Sequence, residues 1–390
     1  MIIDVSTTSS CNYGCRYCSE GLCSEEEAKA RLPNSKSKVS TSSIQLLVNQ
    51  VKAERPDERF TIGFWGGEPL MNFKFCKEVM DAFADDKNVT FLYYTNGYFI
   101  ERYLDDLKYY LKVIGKERLL MQVSYDGRAI NDLVRVTKHG EPTSDTCLRA
   151  WRLLKDNGFE VKFKSTLPIE HADKMFECFK EFVELGESYF PTPDIAHWYD
   201  EGRIDDYAAA LHDNLTKIAQ YIYEHGLSPS QFKWFTNSKA KCAAGCGYIA
   251  LDVDGMVVPC HSAMFTGEDH YWGNIHDINI WDACKSKFKE YEAMREMINT
   301  GQHCSSCDAL YCMSCPAHTY DLISTGSYED RWSARNPNMC LVFKISDQVH
   351  KALLSALRRK HDLQREDGDS TQKCACEDNK SECSCKRDGT

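Results

Sequence analysis

Three cysteines within eight residues restrict what the start of this chain can fold into. Cys11, Cys15 and Cys18 follow a predicted strand at C-x3-C-x2-C spacing, so one loop can direct their thiols at one centre. Three thiolates are one fewer than a structural zinc site or a fully ligated iron–sulfur cluster takes from protein. One explanation is a [4Fe–4S] cluster with one iron open to a small molecule. The alternative is a zinc knuckle whose fourth ligand is Cys23.

Strand and helix patterns alternate over the first 225 residues. The predicted strands are Ile2–Thr7, Arg59–Trp65, Val89–Tyr94, Leu119–Tyr125 and Phe159–Leu167, with a sixth within residues 188–199. The predicted helices are Thr41–Ala53, Phe73–Phe83, Ile100–Leu111, Thr146–Asn157, Ala172–Leu185 and Asp205–His225. This alternation predicts a parallel sheet, and we expect a partial (β/α)6 TIM-like barrel over residues 1–240. A doubly wound open sheet is the alternative, but no G-x-G-x-x-G follows the first strand.

Chemistry-bearing residues stand at the ends of these strands, where α/β folds place their sites. They are Gly66-Gly67-Glu68-Pro69, Asn96, Ser124 and Asp126. Glycines let a backbone approach a ligand closely, and a carboxylate can accept hydrogen bonds from an ammonium group. The ordinary interpretations are a strand-to-helix turn for the first group, an Asn-Gly turn for Asn96, and a solvated helix charge for the nearby Arg135.

The 20 cysteines point to metal or redox chemistry, because a large chain without a visible signal peptide is a poor candidate for a disulfide framework. After the first three, eight lie in a dense group. They are Cys242, Cys246, Cys260, Cys304, Cys307, Cys312, Cys315 and Cys340. Eight thiolates suit two fully ligated [4Fe–4S] clusters, and two zinc ribbons with four cysteine ligands each are the alternative. Residues 248–253 and 256–260 predict a hairpin within this group.

The N-terminal cysteine spacing resembles that of the radical S-adenosylmethionine (AdoMet) superfamily, as do the G-G-E and S-x-D-G motifs that follow the second and fourth strands. The resemblance implies that AdoMet binds the open iron of a cluster held by Cys11, Cys15 and Cys18. Tyr17 would lie against the adenine, the G-G-E motif would bind the methionine amine, and Ser124 with Arg135 would hold the carboxylate or ribose. The full set of candidate AdoMet contacts is Tyr17, Gly66, Gly67, Glu68, Asn96, Ser124, Asp126 and Arg135.

The C-terminal cysteines resemble the SPASM extension of that superfamily, a small cysteine-rich α+β domain that carries two auxiliary [4Fe–4S] clusters. The resemblance implies one cluster on Cys242, Cys246, Cys260 and Cys315 and another on Cys304, Cys307, Cys312 and Cys340. The spacing after Cys304 departs from the commoner family pattern, which leaves this partition open. The implied cofactors are three [4Fe–4S] clusters and AdoMet.

The resemblance also implies a reaction. Members of this group mostly modify peptides, so we expect reductive AdoMet cleavage, hydrogen abstraction from a peptide, and an oxidative modification or crosslink. Formylglycine formation as in sulfatase maturases is an alternative, although His261 stands after Cys260 where those relatives keep an Asp base. Radical oxidation of a small molecule and a non-enzymatic zinc-binding interaction protein also stay open.

Charge and organisation set the expected partners. The net charge of −11 argues against nucleic acid and anionic membranes, and we expect a cytoplasmic protein. The expected partners are a peptide or protein substrate and a reductant such as flavodoxin or ferredoxin. If the substrate has a leader, we expect a separate leader-peptide-binding protein or the cysteine-rich half to hold it, because the cysteine loop begins at residue 11. We expect an auxiliary-cluster domain over residues 241–345. We expect residues 346–390 to form a separate C-terminal segment. It would contain most of a helix over 342–357 and then a tail that is disordered from about Asp362 and carries four cysteines.

Overall fold

The computed structural model of the chain describes residues 1–18, 37–194, 203–239, 243–245, 247–261, 271–300, 306–312 and 337–374. The first half alternates strands and helices in the predicted order. Its strands are β1 (Ile2–Ser6), β2 (Phe60–Trp65), β3 (Val89–Thr95), β4 (Leu119–Ser124), β5 (Glu160–Leu167) and β6 (Pro191–Pro193). Its helices are α1 (Thr41–Glu54), α2 (Phe73–Phe83), α3 (Ile100–Ile114), α4 (Arg128–Val134), α5 (Ser144–Asp156), α6 (Met175–Glu184) and α7 (Arg203–Glu224).

The second half contributes shorter elements. They are β7 (Ser238–Lys239), β8 (Tyr248–Leu251), β9 (Val257–Val258), α8 (Ile280–Thr300), β10 (Tyr311–Cys312) and α9 (Pro337–Cys374). Short 3-10 turns cover Pro69–Asn72, Ile169–Lys174, Pro229–Gln231 and Lys233–Phe235. β10 pairs with β7 in a small parallel sheet, and α9 packs against α7.

One sheet organises the molecule. Its strand order is β6-β5-β4-β3-β2-β1-β8-β9, and β1 to β6 run parallel, as the alternating pattern predicts. The fold is therefore mixed α/β with a largely parallel sheet and a TIM-like arrangement. All the parallel strands end at the same edge, so the loops that follow them lie together.

The two faces of this sheet differ in chemistry. The outer face packs into the apolar core beneath the helices and includes Ile3, Ile62, Phe91 and Val123, each fully buried. The opposite face, which we call the inner face, carries Asp4, Gly63, Tyr94, Gln122 and Lys164 on adjacent strands. An inner face of polar and half-buried side chains fits a sheet that receives ligands on this side rather than packing it with apolar groups.

The structure differs from the predicted elements in several places. α4 was not predicted, because its seven residues are too few to show a helical period. The sixth strand is only Pro191–Pro193, since proline cannot donate to a ladder. The predicted hairpin is present as β8 and β9, yet β8 also pairs in parallel with β1, which extends the main sheet.

The C-terminal helix is longer than predicted. α9 runs from Pro337 to Cys374, beyond Asp362, where we expected disorder to begin. Arg, Glu and Gln recur over residues 358–372 and are good helix formers, so a polar stretch can continue a helix without an apolar face. Residues 375–390 lie outside the described part of the chain. Among the residues described, no helix is long and apolar enough to span a membrane.

Candidate AdoMet and iron–sulfur site

The cysteine loop leaves the end of β1 and is fixed by the last residue of α4 and the segment that follows it. The amide of Gly14 donates to the carbonyl of Val136 and that of Arg16 to the carbonyl of Val134, each at 2.9 Å. Residues Cys11, Cys15 and Cys18 are all partly exposed. The loop is therefore held by its backbone, and none of its three cysteines is fully buried.

Cys15 and Cys18 lie close enough to Cys11 to affect its titration, as expected if the three surround one centre. Burial raises the pKa of Cys11 to about 12, and the neighbouring Glu68, Cys15 and Cys18 raise it further. No group of three metal-binding side chains among the described residues converges on a single ion. A [4Fe–4S] cluster takes one thiolate per iron, so its ligands surround a larger volume than those of one ion.

Two buried donors support the fit of a bound group here. The side-chain nitrogens Asn12 Nδ2 and Trp65 Nε1 are both buried, and neither has an acceptor within the described parts of the chain. Asn12 lies in the cysteine loop, and Trp65 ends β2 on the inner face. Buried donors are normally paired, so ligand acceptors at this edge of the sheet would complete the site.

The Gly66-Gly67-Glu68 segment passes directly against the cysteine loop. The amide of Gly67 donates to the carbonyl of Thr8 at 2.8 Å, and the amide of Glu68 to that of Ser10 at 2.9 Å. A Cβ on Gly66 would lie 2.4 Å from the carbonyl oxygen of Thr8, and one on Gly67 would lie 2.2 Å from that of Ser10. Both positions therefore require glycine because two backbones meet, whether or not a ligand is bound.

Glu68 is used within the protein. Its carboxylate is buried and accepts from Thr95 Oγ1 at 2.8 Å, the amide of Leu70 at 3.1 Å and the amide of Asn96 at 2.8 Å. Burial raises the pKa of Glu68 to about 7, although these three hydrogen bonds act to lower it. Both oxygens link the end of β2 to the end of β3, and a contact with the AdoMet amine stays a prediction.

Asn96 connects the β3 end to the cysteine loop. Its Nδ2 donates to Asn12 Oδ1 at 2.8 Å and lies 3.8 Å from the Cys11 sulfur, while its Oδ1 accepts from the amide of Tyr98. The side chain therefore has a second function beyond the Asn-Gly turn: it orients the loop that carries Cys11.

The buried residues Asp126 and Arg135 form one group with the partly buried Tyr17. The guanidinium of Arg135 donates from Nε to Asp126 Oδ2 at 2.9 Å and from Nη2 to Oδ1 at 3.3 Å. The hydroxyl of Tyr17 donates to Asp126 Oδ2 at 2.6 Å, and its ring lies 5.1 Å from the Arg135 guanidinium carbon. The amide of Thr166 on β5 completes the set at 2.6 Å from Asp126 Oδ1.

This group changes the interpretation of Arg135. The side chain is not a solvated helix charge, since the residue is 8% exposed. Two of its donors are used by Asp126, so the predicted contact with the AdoMet carboxylate would have to use the remaining ones. What the geometry shows directly is a clamp that ties Tyr17, between Cys15 and Cys18, to β4 and β5.

Ser124 ends β4 on the inner face, and its register partner on β5 is Lys164. Sequence reasoning did not identify Lys164, because a strand with alternating lysines resembles a solvated face. Lys164 is instead half-buried, contacts Thr192 Oγ1 and lies 5.2 Å from the ring centroid of Phe190.

His261, which follows Cys260, contacts side chains of the inner face. Its Nδ1 is 2.5 Å from the Tyr248 hydroxyl, which also donates to Asp4 Oδ2 at 2.5 Å, and the His261 and Trp65 rings are 5.3 Å apart. Its side chain is 51% exposed, but the surrounding protein desolvates it and lowers its pKa to about 4, with a smaller contribution from Lys164. The imidazole is thus neutral near pH 7, in the form that accepts a proton.

The C-terminal cysteines are partly described. Cys260, Cys307, Cys312 and Cys340 are each partly exposed, as expected for ligands at the surface of a cluster. Cys242, Cys246, Cys304 and Cys315 lie outside the described residues. The partition of ligands between two auxiliary clusters therefore stays a prediction.

Two family models match this chain. Residues 5–183 match the radical SAM superfamily, and residues 242–308 match SPASM, an iron–sulfur cluster-binding domain. Together these ranges cover more than half of the chain. The first includes the cysteine loop and the G-G-E segment, and the second includes Cys260, α8 and Cys307.

Two curated proteins are similar in sequence. A radical SAM cyclopropyl synthase, TigE, from Paramaledivibacter caminithermalis is 22% identical over 333 residues, which cover 79% of this chain and 66% of that protein. An uncharacterized protein from Methanocaldococcus jannaschii is 27% identical over 187 residues, which cover 46% of this chain and 56% of that protein. The chain thus spans slightly less than two thirds of the first relative and slightly more than half of the second.

Solved structures share the fold. Native anSMEcpe with bound AdoMet superposes with a TM-score of 0.69 at 18% identity, covering 91% of this chain and 98% of that one. The same protein with AdoMet and the Cp18Cys peptide gives a TM-score of 0.67 at 18% identity, covering 92% and 99%. With the two family models and the cysteine loop at the end of β1, these likenesses lead to one conclusion: the chain belongs to the radical SAM superfamily and carries a C-terminal SPASM iron–sulfur cluster-binding domain.

Proposed function

We propose that this radical SAM/SPASM enzyme modifies a peptide or protein substrate by hydrogen abstraction, leaving an oxidised residue or a crosslink. The observation that carries the proposal is that one face of one sheet gathers the proposed AdoMet site and the proposed proton acceptor. The cysteine loop and the G-G-E segment stand at its carboxyl edge, and β8 brings Tyr248 and His261 against the same inner face. A cluster with bound AdoMet supplies a 5′-deoxyadenosyl radical, which removes hydrogen from an unactivated carbon.

The chain's own residues would bind and orient the reactants. Cys11, Cys15 and Cys18 would ligate the first cluster, and the clamp around Asp126 would hold their loop in place. The remaining Arg135 donors and Ser124 would orient AdoMet. The inner face would keep water from a reactive carbon radical, since excluding side reactions is the protein's main contribution in such chemistry.

His261 is the proposed proton acceptor for the substrate. Its position supports this role, because Tyr248 and Asp4 hold the ring at the inner face while half of the side chain stays exposed. A neutral imidazole there can take the proton released as a substrate radical is oxidised. The auxiliary clusters, ligated by the eight C-terminal cysteines, would take the electron.

The relatives support the choice of a peptide. One anSMEcpe structure contains the Cp18Cys peptide, and the fold of this chain matches that structure over most of its length. TigE is named a cyclopropyl synthase, which fits a reaction that leaves a new bond in its product. The bound peptide in particular favours a macromolecular maturase over an enzyme for a free small molecule.

The test is an anaerobic reaction with candidate peptides encoded beside the gene. Cluster-loaded protein, AdoMet and a reductant such as dithionite or reduced flavodoxin should release 5′-deoxyadenosine. Mass spectrometry should show one peptide that changes mass with the same time course. Deoxyadenosine without any peptide change, together with a changed small metabolite, would contradict the peptide assignment. A colourless protein that contains zinc and no sulfide would contradict the enzyme assignment.

A further inference from the structure

We propose that Asp347 and Lys351, one turn apart on α9, are positioning residues for an auxiliary iron–sulfur cluster. They hold the short chain segment between the predicted ligands Cys307 and Cys312. The inference rests on the proposed ligand assignment of the C-terminal cysteines and does not depend on the substrate.

The carboxylate of Asp347 joins α9 to this segment. The residue is 8% exposed, and its Oδ1 accepts from the amide of Leu310 at 2.7 Å. Its Oδ2 lies 2.7 Å from Lys351 Nζ, so both oxygens have partners. Hydrogen bonds to an ionised acceptor are among the strong ones in proteins. Leu310 therefore cannot move away from the helix without giving up a charge-assisted bond.

Lys351 attaches the same segment at a second point. Its Nζ donates to the carboxylate of Asp308 at 2.7 Å and to the Asp308 carbonyl at 3.2 Å. With Asp347, these acceptors use all three donors of the ammonium group. The segment is thus tied to α9 directly after Cys307 and again at Leu310, two residues before Cys312.

The Cys312 end of the segment has further support. Tyr311 and Cys312 form β10, which pairs in parallel with β7. The rings of Tyr311 and of Phe343 on α9 meet edge to face, with their centroids 5.5 Å apart. Strand pairing and ring packing therefore fix the residue before Cys312 against the same helix.

A third predicted ligand lies on the same face of α9. Cys340 is the fourth residue of the helix. At 100° per residue, positions 347 and 351 point within about 20° of position 340. The helix thus sets Cys340 relative to the segment that carries Cys307 and Cys312. A cluster takes one thiolate per iron, so ligands placed in advance reduce the entropy lost when it binds.

The test measures how firmly iron is held and needs no turnover. Anaerobic, cluster-loaded wild type and variants are challenged with an iron chelator, and the iron left on each chain is followed with time. Asp347→Ala should release about four irons per chain about tenfold or more faster than wild type, the factor expected for losing a hydrogen bond to a charged group. The remaining irons should leave at the wild-type rate.

Two further variants separate positioning from a general loss of stability. Asp347→Asn should retain most of the iron, because its side-chain oxygen can still accept from the Leu310 amide. Lys351→Met should speed release of the same irons by a smaller factor, since the Lys351 side chain is 39% exposed and solvent screens its charge. Lys344→Met is the matched control, an exposed lysine on the same helix, and should behave as wild type. Thermal unfolding of each variant is measured alongside.

Cys307→Ala distinguishes this proposal from the ligand assignment. If Cys307→Ala lacks about four irons but Asp347→Ala releases iron as wild type does, the positioning role is wrong and the assignment stands. If Cys307→Ala keeps all its iron, both are wrong. Equally faster release of all the irons from Asp347→Ala, or an Asp347→Asn variant as labile as Asp347→Ala, would also overturn the positioning role.

Discussion

Breaking the buried ion pair between Asp126 and Arg135 should both destabilise the fold and loosen the cluster loop. Asp126 has no exposed surface, and its carboxylate accepts two bonds from Arg135, one from Tyr17 and one from the amide of Thr166. Removing one partner of such a pair leaves the other charge buried and uncompensated, at about 3–5 kcal/mol. Arg135→Met should therefore lower the free energy of unfolding by about that amount, a large part of a typical stability.

A double-mutant cycle separates the coupling energy of the ion pair from other destabilising effects of each substitution. Asp126→Asn alone leaves the Arg135 charge buried, whereas the double variant removes both charges. The double variant should lose clearly less than the sum of the single losses, with a coupling energy at the upper end of about 0.5–3 kcal/mol. Chemical denaturation of the anaerobic protein, followed by circular dichroism, gives the four unfolding free energies of the cycle, those of wild type, the two single variants and the double variant.

The matched control is Arg128→Met. Arg128 pairs with Asp145 at 2.7 Å, much as Arg135 pairs with Asp126, but the Arg128 side chain is about half exposed and that of Asp145 is almost fully exposed. Solvent screens such a pair, so this substitution should change the free energy of unfolding far less.

The clamp also predicts a change in metal content. Because Tyr17 lies between two predicted cluster ligands, Cys15 and Cys18, Arg135→Met should reduce the iron retained after reconstitution, while Arg128→Met should not. An Arg135→Met variant as stable as Arg128→Met, or strictly additive effects in the cycle, would refute the reasoning.

Three further predictions test other parts of the site. Gly67→Ala should destabilise the protein and reduce its iron content, because the added Cβ would lie 2.2 Å from the Ser10 carbonyl oxygen. The control is Gly247→Ala, where an added Cβ meets nothing within 4 Å. Equal melting temperatures of the two variants would contradict the clash. Burial raises the pKa of Asp4 from 3.8 to about 6, so stability that is fully present below pH 3.8 should be lost as pH rises through 6, by about 3 kcal/mol. Unfolding measured from about pH 4 to pH 7 should show this contribution in wild type and lack it in Asp4→Asn, and parallel profiles would exclude the assignment. Cys260→Ala should remove one auxiliary cluster, seen as a loss of about four irons per chain, while uncoupled AdoMet cleavage persists; unchanged iron content would remove Cys260 from the ligands.

Local patterns were sufficient to predict most of the sheet. The bounds of α2 are those predicted, and those of β1 to β5 agree with the predicted strands to within a residue at either end. The reason is that the hydrophobic period of a regular segment indicates its type of secondary structure. The cysteine loop and the G-G-E segment were recognisable for a similar reason. The residues of each motif lie within a few positions of one another, so their spacing can be seen in the sequence.

Contacts between distant residues needed the tertiary structure. Tyr17 and Asp126 are 109 residues apart, and Asp4 and Tyr248 are 244 apart, yet both pairs form hydrogen bonds. No local period or motif encodes such a pair. The pairing of β8 with β1 is equally nonlocal, and it brings His261 to the inner face.

The sequence by itself determined the element order, the parallel sheet and the residue types available for iron and AdoMet. Only the tertiary structure decided which of these residues are used by the protein: Glu68 and Arg135 are tied to Thr95 and Asp126, and Lys164 on the inner face donates to Thr192. The physical reason is that a side chain's type fixes what it can bind, but its availability depends on burial and on partners contributed by other strands.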